Sequence, residues 1–279
     1  MKVQIREGIS LKSKSGKLAT CPLKPLIGLY RLIGIIRCTK MYTRSTDYYD
    51  LIYRDLKDYG EEAGKIDSLL RRISPRPQHL LDIGCGTGEH AFRLNRDFGY
   101  QVDGLDIQPG FVKIAQKKSP QARFEVADMR RFNLPGQYDC LLCLFSSIGY
   151  VETLTGLRDA LSCFARHLKP KGWLILEPWI TPDVWRPGQV DVIETTDTNS
   201  GETIQRTRTG DTDGTVSIIN IDYEVRSGDQ THRLNESHRL GLFTKEEMNQ
   251  ELERAGFQAN WMPVGLQLQP IVVGQLRKQ

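Results

Sequence analysis

Several function classes require features that this sequence lacks. No run of about 18 apolar residues occurs among its 279 positions, so no segment is built to cross a membrane as a helix. The five histidines are dispersed, at 79, 90, 167, 232 and 238, and none stands with cysteines at zinc-site spacing, so no metal is expected. Cysteine is sparse: six residues (21, 38, 85, 140, 143 and 163) sit singly in apolar or helical stretches, as in a reduced, cytoplasmic chain. Cys140 and Cys143 form a C-x-x-C, but within a strand-like run, where residues three apart point to opposite faces, which argues against redox or zinc chemistry. Glycine and proline total 38 residues, too few for a fibrous or wholly disordered chain. What is present, 39% apolar and 26% charged residues, suffices for one large or two small globular domains.

The net charge of +4 conceals an asymmetry. Residues 1–40 carry nine of the 38 Lys/Arg and one of the 34 acids, which puts that segment at +8 and residues 41–279 at −4. The mildly acidic body argues against general nucleic-acid binding. The basic segment is no secretory signal, because its best apolar stretch, Pro25 to Ile36, is broken by Arg31 and two glycines. Two readings stay open for it: an arm for an anionic membrane surface or RNA, or a functionless extension with Met41 as the true start.

From Asp47 to Ile73, apolar residues recur at helical steps, and Ser74-Pro-Arg-Pro ends the pattern. Strand-like runs follow at His79–Ile83, Gln101–Asp106, Arg123–Ala127, Tyr138–Phe145 and Gly172–Glu177. Helices near Glu89–Phe98, Phe111–Lys118 and Leu154–His167 separate them. Such alternation implies a parallel sheet covered on both faces. Residues 189–242 change rhythm into four β-rich runs split by Asn199-Ser-Gly201, Gly210-Asp-Thr-Asp-Gly214 and Ser227-Gly-Asp229, which reads as an inserted antiparallel flap. Thr244-Lys-Glu-Glu247 is a capping box opening a helix to Ala255, and two last strands lie around Gln258–Val264 and Pro270–Gln275.

The sharpest signal is Leu80-Leu-Asp-Ile-Gly-Cys-Gly-Thr-Gly-Glu-His90. A buried strand runs into Gly84, Gly86 and Gly88, at the strand end where open α/β sheets bind ligands. One glycine would make the turn, so three alternate ones point to close backbone approach by a ligand. A dinucleotide fingerprint places its third glycine where Glu89 stands, and no P-loop lysine follows. An acid at Asp82 suits a cationic ligand better than a pyrophosphate. Asp106 ends the second strand, in place for ribose hydroxyls, and Asp128, just past the third, for an adenine amino group. Each is a common turn or cap residue, but three at the ends of successive strands form a pattern.

On these residues the chain, over about 80–275, resembles the class I S-adenosylmethionine-dependent methyltransferases. The resemblance implies an α/β fold: a Rossmann-like seven-stranded sheet with the antiparallel β flap inserted. It also implies a cofactor site in which Asp82 and the turn of Gly84, Cys85, Gly86 and Gly88 hold the methionine part of S-adenosylmethionine. Asp106 takes the ribose, Ile107, Asp128 and Met129 the adenine, and Phe145 and Tyr53 pack around the cofactor. A narrower likeness, from about Met41 to the C-terminus, rests on Tyr49-Asp-Leu-Ile-Tyr53, Lys57-Asp-Tyr59, Phe145-Ser-Ser-Ile-Gly149, Glu177-Pro-Trp179 and Ser237-His-Arg-Leu-Gly-Leu-Phe-Thr244. Together they are similar to the TDP-amino-sugar N,N-dimethyltransferases, whose flap makes dimer contacts, so a homodimer through the insertion is implied. Two positions differ from the macrolide enzymes: Tyr150 stands for their His, and Gln267-Leu-Gln269 where they carry an Arg. Losing that Arg removes a bidentate phosphate partner.

The chemistry favours a small-molecule amine as acceptor. An amine of pKa about 8 costs about 1.4 kcal/mol to deprotonate at pH 7, against about 12 kcal/mol for an alcohol of pKa about 16. Amine transfer needs mainly positioning and desolvation. Tyr49 and Tyr150, with Tyr42, are the candidates to orient it; Glu177, Trp179, His238 and Arg239 are candidates for the rest of the substrate pocket. The alternatives are a small-molecule O-methyltransferase and a non-catalytic cofactor-binding protein. A base-modifying enzyme would carry Asn/Asp-Pro-Pro-Tyr/Phe after the fourth strand, and Phe145-Ser-Ser-Ile-Gly149 is not that.

Overall fold

The computed structural model describes residues 46–277 except 55, 198, 199, 264, 267 and 268. The basic segment 1–40, Tyr42, and Gln267 and Leu268 therefore lie outside the described residues. Among those described, no helix is long and apolar enough to cross a membrane.

Seven strands form the main sheet: β1 (His79–Ile83), β2 (Gln101–Asp106), β3 (Phe124–Val126), β4 (Tyr138–Cys143), β5 (Leu168–Leu176), β10 (Phe257–Met262) and β11 (Ile271–Leu276), in the order β10-β11-β5-β4-β1-β2-β3. The first five are parallel, and β11 runs antiparallel to both β5 and β10. Apolar residues alternate between two cores, as a sheet buried on both faces requires. Leu81, Ile83, Leu141 and Cys143 pack under α5 (Leu154–Arg166) and α6 (Lys245–Arg254). Leu80, Val102, Cys140 and Leu142 pack under α2 (Tyr59–Leu70), α3 (Glu89–Phe98) and α4 (Pro109–Lys118). Cys140 and Cys143 thus enter different cores, and burial pushes both thiols well above their ordinary range.

A second sheet, wholly antiparallel, is made by β6 (Val190–Thr196), β7 (Thr203–Asp213), β8 (Val216–Ser227) and β9 (Gln230–Gly241) in chain order. The turn-rich run from Gly210 to Asp213 is strand rather than turn: Asp213 pairs with Val216, so only two residues make the reversal. Gly210 lies against the Trp185 ring, where an added Cβ would stand 3.0 Å from Cη2. Packing by an aromatic outside the hairpin therefore overrides its local turn chemistry.

The single helix expected over 47–73 is divided. A 3-10 turn (Thr46–Tyr48) leads into α1 (Tyr49–Arg54), and α2 starts afresh at Tyr59. The Asp58 carboxylate caps α2 by accepting from Glu61 N at 2.9 Å. The break lets α1 leave the main sheet: Tyr49, Ile52 and Tyr53 join Ile204, Ile219 and Ile221 of the second sheet in a third apolar cluster. The capping box at α6 is present, Thr244 N donating to Glu247 Oε2 at 2.8 Å and Glu247 N to Thr244 Oγ1 at 3.1 Å.

Candidate active site

The β1 turn is pinned by its neighbour. Gly84 N and Cys85 N both donate to Leu105 O, at 2.8 and 3.0 Å. Gly86 N donates to Asp106 Oδ2 at 2.9 Å and Gln108 N to Oδ1 at 2.8 Å, so the buried Asp106 carboxylate is oriented by backbone from two strand ends. Burial raises its pKa, with these bonds opposing. Only Gly86 among the three glycines opens onto space: at φ +55° its nearest neighbour, Tyr49 Oη, would be 4.0 Å from an added Cβ. Gly88 is a correction to the ligand argument. At φ +77°, an added Cβ would meet Ala115 Cβ at 2.8 Å, so this position is glycine to let α3 pack on α4. At Gly84 an added Cβ would meet Ser147 at 2.8 Å, although the Gly84 backbone itself lines the cavity described next.

Above this edge lies a cavity of about 610 Å³ lined by Asp82, Asp106 and Asp128 together. The pattern of three acids is thus one surface, because β1, β2 and β3 are adjacent. Asp82 is buried, its Oδ2 has no partner among the described residues, and burial pushes its pKa up to about 6. The Asp106 charge adds to that rise, while His90 and Lys57 oppose it. Asp128 differs. Arg130 grips it through Nη2 at 2.7 Å and Nε at 3.0 Å, and holds its pKa below the usual carboxylate range. Cys85, Ile107 and Met129 also line the cavity, with Ile107 48% exposed at its rim.

Phe145 and Ser146 are both left-handed, at φ 50° and 60°, where non-glycine residues are uncommon. The turn is held by Glu177 Oε2, which accepts from Phe145 N at 2.7 Å, and by Ser146 Oγ, which donates to Pro178 O at 3.1 Å. Glu177 is therefore not among the residues lining the cavity; a buried carboxylate must accept hydrogen bonds, and it takes a backbone donor that shapes the wall. The Phe145 ring packs edge-on against Tyr53 and carries the Lys57 ammonium 3.7 Å from its centroid.

Tyr49 is buried between Tyr53 and Phe111, with ring centroids 4.5 and 4.8 Å away. Across the cavity, Tyr150 Oη lies 3.1 Å from His238 Nδ1, and Trp179 Nε1 donates to Ser217 Oγ at 2.9 Å. Tyr49, Tyr53, Tyr150, Trp179 and His238 all line the cavity. Arg239 does not, which corrects its expected place. Strand alternation sends it to the other face of β9, where it pairs with Glu152 at 2.9 Å and Asp213 at 3.0 Å.

Residues that carry no distinctive local sequence signal complete the site. Buried Lys57 pairs with Glu62 at 3.1 Å, and Glu62 with His90 Nε2 at 2.7 Å; Lys57 and His90 line the cavity. Arg206 and Arg208 of β7, two apart on one strand face, line its far side. Lys57 was visible only within the Lys57-Asp-Tyr59 motif, where a helix-face charge is the default reading.

Comparison with known proteins now bears on this geometry. A family model described as "Methyltransferase domain" matches residues 80–172. A dTDP-3-amino-3,6-dideoxy-alpha-D-glucopyranose N,N-dimethyltransferase of Streptomyces fradiae is 36% identical over 224 residues, covering 78% of this chain and 86% of the relative. The chain belongs to the sugar N,N-dimethyltransferase family. It is an S-adenosylmethionine-dependent methyltransferase. A dTDP-4-amino-2,3,4,6-tetradeoxy-D-glucose N,N-dimethyltransferase of Saccharopolyspora spinosa is 32% identical, covering 78% of this chain and 86% of the relative. The crystal structure of Streptomyces venezuelae DesVI superposes with a TM-score of 0.77 at 30% identity, covering 83% of this chain and 97% of that one. The cavity suits the family's cofactor, because the partnerless, buried Asp82 oxygen and the open space over Gly86 match a ligand that brings a cationic amine to the turn.

Proposed function

We propose that this enzyme methylates the amine of a nucleotide-linked amino sugar. The observation that carries the reading is that the cavity does not end at the cofactor cradle. It continues beneath β7–β9, lined by the tyrosines Tyr49 and Tyr150 and by Arg206 and Arg208. Arg206 and Arg208 supply cationic groups for a substrate phosphate, Arg208 while also paired through its Nε with Asp191 Oδ2 at 3.0 Å.

When bound, S-adenosylmethionine supplies an electrophilic methyl group. Asp82 would hold its amino group, with the Lys57 ammonium on the same wall for its carboxylate; Asp106 would take the ribose, and Ile107, Asp128 and Met129 the adenine. Phe145 and Tyr53 would exclude water from the sulfur, and Tyr49 and Tyr150 would aim the acceptor nitrogen. Positioning a lone pair in a dry site supplies most of what amine transfer needs. The exposed Val190 (61%) and Val192 (57%) on edge strand β6 support dimer contacts through the insertion; sedimentation of Val192→Glu, which should be monomeric, tests them.

The function test is a labelled-methyl assay pairing a TDP-amino sugar with its hydroxyl counterpart. Methyl on nitrogen alone is expected; transfer to the hydroxyl sugar, or to RNA in preference to both, overturns the reading.

A further inference from the structure

We propose that Tyr150, His238 and Glu236 form a proton relay that removes the acceptor's ammonium proton before methyl transfer, so that the charged amine is itself a productive substrate. The proposal rests on the reading of the acceptor as an amine.

The three groups are ordered from cavity to interior. Alternation along β9 points residues 236, 238 and 240 one way, and all three are buried. His238 and Leu240 line the cavity, and Glu236 stands behind. Register with β8, Ile219 opposite His238 and Ile221 opposite Glu236, fixes both positions. Tyr150 Oη is 3.1 Å from Nδ1, and Nε2 is 3.7 Å from Glu236 Oε2. With Nδ1 accepting from Tyr150, the ring proton sits on Nε2 and faces the carboxylate. Among the described residues, the groups placed toward the imidazole include Tyr150 from the 3-10 turn Ser147–Val151, Glu236 from its own strand and the apolar Ile219 from β8, with Arg206 and Arg208 of β7 also lining the cavity.

A tyrosine hydroxyl alone has nowhere to send a second proton; a tyrosine backed by an imidazole does, because the ring nitrogen that accepts from it can take the proton. In the step, the ammonium N–H proton passes to Tyr150 Oη as the phenolic proton passes to His238 Nδ1. The freed lone pair forms the new nitrogen–carbon bond, and the carbon–sulfur bond breaks with its electrons going to sulfur. The proton remains as imidazolium beside Glu236, then leaves to solvent before the next turnover.

Here His238 and Glu236 are positioning residues that act through Tyr150. The test is kcat/KM for a TDP-amino sugar against pH, for the wild type and for His238→Asn, Tyr150→Phe and Glu236→Gln, with cofactor affinity measured calorimetrically on each. A relay keeps the wild-type profile flat below the amine's own pKa until the relay is itself protonated, which sets an acid limb. His238→Asn and Tyr150→Phe should fall about tenfold per pH unit there and level off above that pKa, Tyr150→Phe below the wild-type plateau because it also loses the hydroxyl that aims the amine, with cofactor affinity within about twofold. Glu236→Gln should shift only the acid limb. If His238→Asn fails to fold, Tyr150→Phe gives the same readout. A loss uniform across pH would make the contact a brace, and a wild-type profile that tracks the neutral amine would remove the relay; either overturns it. An enzyme that methylates no amine at any pH refutes the acceptor reading instead.

Discussion

Replacing Asp82 by asparagine exchanges one atom and deletes one buried charge. Burial raises the Asp82 pKa from 3.8 to about 6, so the folded state keeps a proton that the unfolded chain has already lost. Stability must then fall as pH rises between those two values and stay reduced above them. At about 1.4 kcal/mol per unit, the 3.8-to-6 rise makes the loss about 3 kcal/mol. An amide side chain does not titrate, so the variant should lack this term. Whatever that amide gains or loses in the pocket is independent of pH, so the comparison of two pH values cancels it. Denaturant midpoints of the cofactor-free protein at about pH 4 and about pH 7.5 should therefore show Asp82→Asn gaining about 2.4 kcal/mol on the wild type between the two, because the unfolded carboxyl is already more than half ionised at the lower pH. Cofactor should reverse the order at neutral pH, because the wild-type carboxylate then meets a cation. Parallel pH curves for the two proteins would refute the argument that Asp82 is a desolvated acid waiting for a positive partner.

Two further outcomes follow from single contacts. Lys57→Met should erase discrimination between S-adenosylmethionine and its decarboxylated analogue, about tenfold or more for one charge-assisted bond; measuring both ligands on one variant cancels any folding cost, and calorimetry that finds the preference intact would place the carboxylate elsewhere. Gly88→Ala should destabilise the protein by about 1–3 kcal/mol, since its Cβ would stand 2.8 Å from Ala115 Cβ; an unchanged melting midpoint would show that α3 and α4 have room to part.

What could be read in advance was what repeats or is local. The strand bounds His79–Ile83 and Gln101–Asp106 and the helix Glu89–Phe98 were readable because apolar period and caps act within a few residues. The α1–α2 break was not, because one aspartate cap interrupts an apolar pattern that continues through it. Nor was the strand at Gly210–Asp213, whose turn composition yields to a tryptophan from outside the hairpin. Within the site, the three acids could be anticipated from strand ends. Lys57, Arg206 and Arg208 could not, since no local signal distinguishes an inward charge from a solvated one.

By itself, the order of residues determined that a parallel α/β sheet would end its first strand in an acidic, glycine-rich turn, because alternation and backbone freedom are properties of neighbours along the chain. Tertiary structure alone decided which polar and charged side chains face inward. Glu177 was turned to a backbone amide, Arg239 to the outer face, and Lys57 and His238 to the cavity. The cost of burying a charge depends on partners that are distant in sequence and adjacent only after folding.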